Sequence, residues 1–308
     1  MNPFARAFRN RAGDLALATA TGAATLLILG ILAVILVDVI MNGAPRLSWT
    51  FLSSAPTHGM TQGGIFPAIF GTVALVLLMT VAVVPVGVAT AIYLNEYASP
   101  HGRLTRAVRV AVNNLAGVPS IVFGLFGLGF FVQFVGTGID RAFMGGQKAF
   151  GQPALIWAAL TMAVLTMPVV IVVTEEALRS VPRELREASA ALGATRFQTV
   201  VNVVVPQAAP GILTGTILAV SRGAGEVAPI LFVGAAYFLP HLPSHLYDQF
   251  MHLGYHVYVL STQSPDVDAT KPLLYATVVV LLTLTFLLNA AAIVVRSRMR
   301  RRFAQAAA

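Results

Sequence analysis

Long apolar segments alternate along the chain with short polar or basic segments. Each apolar segment is close to the ~20 residues that an α-helix needs to cross the hydrocarbon core of a bilayer. The pattern predicts six transmembrane helices, at about 15–40, 67–94, 110–135, 154–174, 211–235 and 273–295. No clear cleavage site of small residues follows the first segment, so we expect a retained helix and not a signal peptide. The sequence therefore predicts an all-α polytopic membrane protein, with a short segment at 1–14 ahead of a transmembrane domain at 15–308.

Composition and charge agree with a membrane protein and indicate its orientation. Of the 308 residues, 57% are hydrophobic and 10% are charged, and the absence of cysteine excludes disulfides and thiol catalysis. If the N-terminus lies in the cytoplasm, 15 arginines fall on the cytoplasmic side and four basic residues on the other. By the positive-inside rule, this bias predicts that both termini lie in the cytoplasm. The net charge of +8 is then a sign of topology, which argues against nucleic acid as a partner.

Two charged residues interrupt the fifth apolar segment, which contains GTILAVSRGAGEVAPILF at 215–232. They are Arg222 and Glu226, and counting the helical rise from Gly211 places Arg222 ~16 Å along the span, near mid-membrane. Four-residue spacing predicts that both side chains share one helical face. An arginine costs ~2.5–3.5 kcal/mol at such a depth, and intramembrane ionisable residues are usually functional. We expect Arg222 to contact an anion and Glu226 to be its counterion; the alternative is a structural ion pair that seals a helix interface.

A polar insert at about 175–210 separates the fourth and fifth apolar segments. The acids at its start, Glu175 and Glu176, are expected outside the hydrocarbon. Ser180 is a candidate N-cap for a short helix that ends at Gly193, a residue suited to a left-handed stop.

A second short helix is predicted after that glycine. Thr195 and Gln198 form a candidate capping box at its start, and Pro206 is expected to end or kink it. Two short helices of this kind form either an amphipathic connector on the lipid surface or a docking element for a cytoplasmic partner.

The insert resembles the EAA loop of ABC importer permeases. The residues that match the spacing of that loop are Glu187, Ala188, Gly193 and Pro206, while Ser189 stands where the family often has a second alanine. The resemblance implies coupling helices that dock on an ATPase subunit and transmit its closure. ATP and Mg would be used by that partner, because this chain has no GxxxxGKS or GxxxxGKT loop and is expected to bind no cofactor. The chain is then a non-catalytic transport subunit.

Further segments resemble PstA, the family of phosphate importer permease subunits. They are GGIFPAIFGT at 63–72, AIYLNEYA at 91–98, LAGVPSIVFGLFG at 115–127, EEALRSVP at 175–182 and SRGAGEVAPILF at 221–232. The resemblance implies a type I ABC importer permease (MetI-like) fold, phosphate as the cargo, and a substrate path that includes Arg222 and Glu226. It also implies three protein partners: a homologous PstC-like permease subunit, a PstB-like ATPase dimer and a PstS-like external phosphate-binding protein.

Other chemistries and cargoes have less support. Two histidine pairs have four-residue spacing, but we expect them to be solvated or at the membrane surface and not to bind metal; they are His241 with His245 and His252 with His256. No order of residues typical of a hydrolase and no buried acid pair supports catalysis. The open alternatives are a permease for another oxyanion, such as molybdate or sulfate, an autonomous anion transporter or channel, and a membrane enzyme.

Overall fold

The computed structural model describes residues 3–60, 62–99, 101–264 and 266–306, and most of them are helical. The α-helices are α1 Pro3–Gly43, α2 Trp49–Ser53, α3 Phe66–Ile92, α4 Arg103–Leu115, α5 Ser120–Phe126, α6 Thr137–Phe143, α7 Leu155–Arg179, α8 Arg183–Ala191, α9 Arg196–Thr199, α10 Val205–Gly225, α11 Leu253–Thr262 and α12 Val267–Ala306. Three π-helices, Tyr93–Tyr97, Gly127–Gly136 and Val200–Val204, continue α3, α5 and α9. Short 3-10 helices lie at Ala44–Arg46, His58–Met60 and Ala228–Ile230, and an antiparallel pair of two-residue strands joins β1 Pro56–Thr57 to β2 Gln62–Gly63.

Six helical segments within the described residues are long and apolar enough to cross a membrane, which confirms the predicted fold class. We call them spans one to six; they are Gly13–Arg46, Phe66–Tyr97, Ser120–Phe143, Leu155–Arg179, Arg196–Gly225 and Val267–Arg298.

Two of the predicted spans have wrong boundaries. The third span does not begin near residue 110, because the chain leaves the helical conformation before Pro119, whose ring restricts the residue before it and which has no N–H to donate. Residues 103–115 instead form the separate helix α4. The fifth span begins at Arg196, well before the predicted residue 211, and its helix stops at Gly225 instead of continuing to 235.

Span four is the centre of the helical bundle. Helix α7 packs against both α3 and α10, while α1 packs against α12 at the periphery. Gly211 and Gly215 of α10 lie against α7, because a Cβ atom at Gly211 would overlap Ala177 of α7 and one at Gly215 would lie 3.0 Å from Cβ of Val173. The small residues therefore bring spans four and five into backbone proximity, as is common between membrane helices.

Candidate functional site

The charged pair of the fifth span forms an ion pair. Nε of Arg222 lies 3.5 Å from Oε1 of Glu226, and the two side chains are 42% and 22% exposed. Arg222 lies in the last turn of α10, where the partial negative charge of the helix C-terminus also favours a cation. Both Glu226 and the helix end therefore stabilise the guanidinium.

The spacing predicted that both side chains share one helical face, but the structure shows that they do not lie on one continuous helix. Glu226 follows the end of α10 and has extended backbone angles (φ −79°, ψ 135°), with its N–H directed at the carbonyl of Gly223 at 3.4 Å. The helix ends here because Gly223 and Gly225 have low helix propensity and Pro229 follows closely. The charged pair thus spans a break in the backbone and not two turns of a helix.

This break lies inside the bundle. Gly223 faces Met79, near the middle of span two, so closely that a Cβ atom there would overlap the methionine side chain. Met79 and Met162, the second methionine near this glycine, are both fully buried. The segment after the break is also buried, since Pro229 and Ile230 have little or no exposed surface. An irregular backbone at this depth is tolerated only where protein or a water-filled cavity surrounds it.

The guanidinium of Arg222 has unused hydrogen-bonding capacity. Among the residues that the structure describes, only its Nε contacts an acid, and its two terminal nitrogens have no protein partner. A guanidinium is always charged and presents a planar fork of donors that matches the oxygens of a tetrahedral oxyanion. The neighbouring Ser221 hydroxyl is held by the carbonyl of Ile217 and by the Asn289 side chain of α12, which ties spans five and six together next to the arginine.

The segment between α10 and α11 folds back against the spans. The N–H of Ala154 donates to the carbonyl of Val233 at 2.8 Å, and the N–H of Ala236 to that of Phe250 at 2.8 Å. The N–H of Leu253 then donates to the Thr72 hydroxyl of α3 at 2.9 Å. These bonds pair backbone groups of the returning segment with spans four and two and with each other.

The expectation that the paired histidines are solvated is wrong for one pair. His241 is exposed and the His245 side chain is 60% exposed, but His252 and His256 are 0% and 4% exposed. Burial lowers the pKa of both His252 and His256 from 6.5 to about 4. Nδ1 of His252 accepts the N–H of Gly254 at 3.2 Å, so the neutral ring carries its proton on Nε2.

The polar insert forms helix α8 and, after Gly193, helix α9, which is the first turn of span five; we call α8 and α9 the hairpin. Several sequence signals of the insert are confirmed. Gly193 has φ +83°, the left-handed conformation expected of a helix stop, and the Thr195 and Gln198 capping box is complete. Ser180 is not an N-cap, because its hydroxyl bonds back to the carbonyl of Ala177 at 2.7 Å. Pro206 does not end the helix. The π-helix before it leads directly into α10, and Pro206 lies in the first turn of α10, where its missing N–H is tolerated.

The residues expected to couple the hairpin to a partner lie on its surface. Glu187 and Ala188 of α8 are exposed, and so is Gly193. Two large apolar side chains of the hairpin are also exposed, Leu192 to 90% and Phe197 to 66%. A cluster of exposed apolar side chains on a polar hairpin is typical of a protein contact surface.

Sequence reasoning missed two ionic clusters beneath this hairpin. Glu175, near the end of span four, is buried: its carboxylate lies 2.9 Å from Arg109 of α4 and 3.2 Å from Arg179. Glu96, at the end of span two, is also buried and lies 3.0 Å from Arg186 of α8. The only sequence signal was the presence of both acids in segments that resemble the family, since neither has its main partner nearby in sequence.

Metal chemistry finds no support in the described part of the chain, where no group of three or more His, Asp or Glu side chains could hold an ion.

Comparison with known proteins places these features in a family context. Residues 83–301 match the family model for the binding-protein-dependent transport system inner membrane component. The probable ABC transporter permease protein YqgI of Bacillus subtilis is 34% identical over 257 residues, which cover 78% of this chain and 82% of that protein. The phosphate transport system permease protein PstA 1 of Mycobacterium tuberculosis (strain H37Rv) is 39% identical over 183 residues, covering 59% of this chain and 54% of that protein. PstA of Pasteurella multocida is 34% identical over 199 residues, covering 64% and 65%. The matches to these two phosphate permeases thus span just over half and just under two thirds of their lengths.

Solved structures share the fold. A chain of a bacterial alginate ABC transporter superposes with a TM-score of 0.65 at 16% identity, covering 93% of this chain and 96% of that one. A chain of the MetNI methionine ABC transporter superposes with a TM-score of 0.54 at 22% identity, covering 77% and 94%. Both are importer permease architectures, and at this identity they establish the fold alone.

Proposed function

Because the chain belongs to the family of binding-protein-dependent transport system inner membrane components, we propose that it is the permease subunit of an ATP-driven phosphate importer. The PstA relatives support phosphate as the cargo, together with the segments that resemble that family. The chain would form half of the translocation path, with a homologous PstC-like subunit forming the other half.

The observation that carries the proposal is Arg222 at the break in span five. Among the described residues its terminal nitrogens have no protein partner, and the adjacent Gly223 packs against the buried Met79 and lies near Met162. Phosphate oxygens can accept hydrogen bonds from both terminal nitrogens of Arg222, while the protonated phosphate oxygen can donate a hydrogen bond to the Glu226 carboxylate. Sulfate has no such proton at neutral pH. Glu226 also repels the anion, which keeps the site weak enough for the ion to leave, as conduction requires.

The energy source in this proposal is a partner ATPase that docks on the α8–α9 hairpin. The exposed Leu192 and Phe197, together with the exposed Glu187 and Ala188 of α8, offer a surface for that contact. Gly193 sets the turn between the two helices, and Pro206 lies where the hairpin continues into span five. ATP and Mg would be bound by a PstB-like ATPase dimer, and closure of that dimer would move the hairpin and switch the access of the Arg222 site.

The orientation follows from the charge bias of the sequence. The hairpin, both termini and the basic loops would lie in the cytoplasm of a bacterial inner membrane, and a PstS-like binding protein would deliver phosphate to the opposite side.

Uptake by the reconstituted assembly tests the cargo. Proteoliposomes that contain this chain with its copurified partners should take up labelled phosphate in a reaction that needs ATP and is blocked by vanadate. Excess unlabelled phosphate should compete, and sulfate or molybdate should not. Equal competition by sulfate or molybdate would favour the permease for another oxyanion, and uptake without any copurified ATPase would favour an autonomous transporter.

A further inference from the structure

Helix α8 of the hairpin is held to the membrane helices by polar contacts. None of its residues is buried, so apolar packing does not fix its position. The hydroxyls of Ser189 and Thr199 lie 2.9 Å apart and join α8 to α9. The two hairpin helices are therefore linked to each other and α8 contacts the start of span five, while Arg186 bonds α8 to spans two and four.

Arg186 bonds to two spans at once. Its Nη2 donates to Oε1 of Glu96 at 3.0 Å and to the carbonyl of Leu178 at 2.8 Å, and its Nη1 donates to the carbonyl of Val181 at 2.6 Å. Leu178 belongs to the last turn of span four, and Glu96 to the π-helix that ends span two. A planar guanidinium that uses several donors in this way has little freedom to tilt, so the link is stiff.

Glu96 is built for this contact. Its side chain is 9% exposed, and the same Oε1 atom also accepts the side-chain amide of Asn95 at 2.7 Å. A carboxylate at this level of burial needs its charged partner, because an unpaired buried charge is strongly unfavourable. The π-helical turn that carries it is a type of helix irregularity often found at functional positions.

Span two connects this ion pair to the candidate substrate site. Glu96 and Met79 lie on the same continuous span, ~26 Å apart along its axis, and Met79 is the residue that Gly223 faces beside Arg222. A displacement of α8 would therefore reach the break in span five through one salt bridge and one continuous helical span, which contains Pro85 between the two contacts.

We propose that Glu96 and Arg186 are positioning residues that pass the movement of the hairpin to span two and so to the Arg222 site. The proposal rests on the proposed function, because it assumes that a partner ATPase moves the hairpin. The salt bridge acts by keeping α8 and span two in one relative position while both move.

The first test measures transport per ATP in the whole reconstituted assembly. Glu96→Gln and Arg186→Met should keep the ATPase bound on copurification and should keep ATP hydrolysis. They should lower the amount of phosphate imported per ATP at least 10-fold. Arg186→Lys keeps the charge but loses the fork of donors, so its loss should be smaller. Glu176→Gln is the matched control, because this acid is exposed at the same end of span four and should leave the ratio unchanged.

Two results would overturn the proposal. An unchanged ratio of phosphate to ATP in Glu96→Gln would show that the salt bridge transmits nothing. Loss of the ATPase on copurification in both variants would assign the pair to docking and not to transmission.

A second test does not depend on the cargo. Because the chain has no cysteine, Tyr93→Cys in span two and Glu184→Cys in α8 provide two unique sites for spin labels. In the assembly, with and without ATP and vanadate, the distance between the labels should be narrowly distributed, and adding Glu96→Gln should at least double the width. An unchanged width refutes the positioning role, whereas transport of sulfate instead of phosphate by the parent assembly would refute only the proposed cargo.

Discussion

Acid should loosen the segment that follows the break in span five, through its two buried histidines. His252 and His256 have pKa values lowered from 6.5 to about 4 by burial. Between these two pH values the unfolded chain binds protons that the folded chain does not, so folding stability falls as the pH falls from 6.5 towards 4. Above 6.5 both states are neutral at these positions and the effect vanishes.

The size of this effect follows from the shift. At pH 5, one histidine with these pKa values lowers the free energy of unfolding by ~2 kcal/mol relative to neutral pH. The two rings lie one turn apart at the start of α11, so protonation of one disfavours protonation of the other. This coupling leaves both contributions intact at pH 5, where both rings are already neutral in the folded chain, so the pair together should remove ~4 kcal/mol.

His252→Asn isolates the contribution of one ring. Asparagine can still cap α11 by accepting the Gly254 N–H, but it does not titrate. We expect the melting temperature of the purified chain in detergent to fall less steeply for this variant than for the parent between pH 7 and pH 5. His241→Asn, at an exposed position, should follow the parent curve. A melting temperature lowered by the same amount at every pH would reflect the smaller side chain only, and such parallel curves for His252→Asn and the parent would refute the reasoning.

Two further substitutions test the charged pair and the packing of span five. Glu226→Gln should leave assembly intact, since the ion pair is partly exposed and contributes only ~1 kcal/mol to stability. The variant should lower the KM for phosphate and slow turnover, because the repulsion between Glu226 and the anion is lost. An unchanged KM in proteoliposome uptake would argue against Glu226 in the path. Gly211→Val should destabilise the bundle by ~1–3 kcal/mol because its side chain would overlap Ala177, which a thermal melt can show. Gly30→Val, in open space on span one, is the control, and equal melting temperatures for the two variants would contradict the close packing.

The sequence predicted the features that depend on local pattern. Apolar length was enough to find all six spans, and the capping box at Thr195 and the left-handed Gly193 were readable because each depends on its immediate neighbours. The start of span five was misplaced because residues 196–210 contain polar side chains and two prolines, so the helix predicted after Thr195 was expected to end or kink at Pro206 and to belong to the polar insert. In the structure a π-helix absorbs Pro206, and the helix runs through.

Features that depend on distant contacts were beyond sequence reasoning. Glu96 and Arg186 are 90 residues apart, and nothing near either one indicates the other. The burial of His252 and His256 depends on a chain segment that folds back onto Thr72 of span two, although their spacing and aromatic neighbours suggested a surface. The glycines and the proline that flank Glu226 are a local signal for the break in the helix. The position of the break within the bundle is visible only from the contact of Gly223 with Met79.

Phosphate uptake by Arg222→Gln tests the central claim most directly. The variant should assemble with its partners and retain ATP hydrolysis, because the glutamine fits the partly exposed site and Arg222 is distant from the hairpin. In proteoliposomes, its vanadate-sensitive uptake of labelled phosphate should be abolished, since an amide cannot replace the charged fork. Uptake at the parent rate, by an assembly that still selects phosphate over sulfate, would contradict a role for Arg222 in the substrate path and reduce the pair to a structural contact.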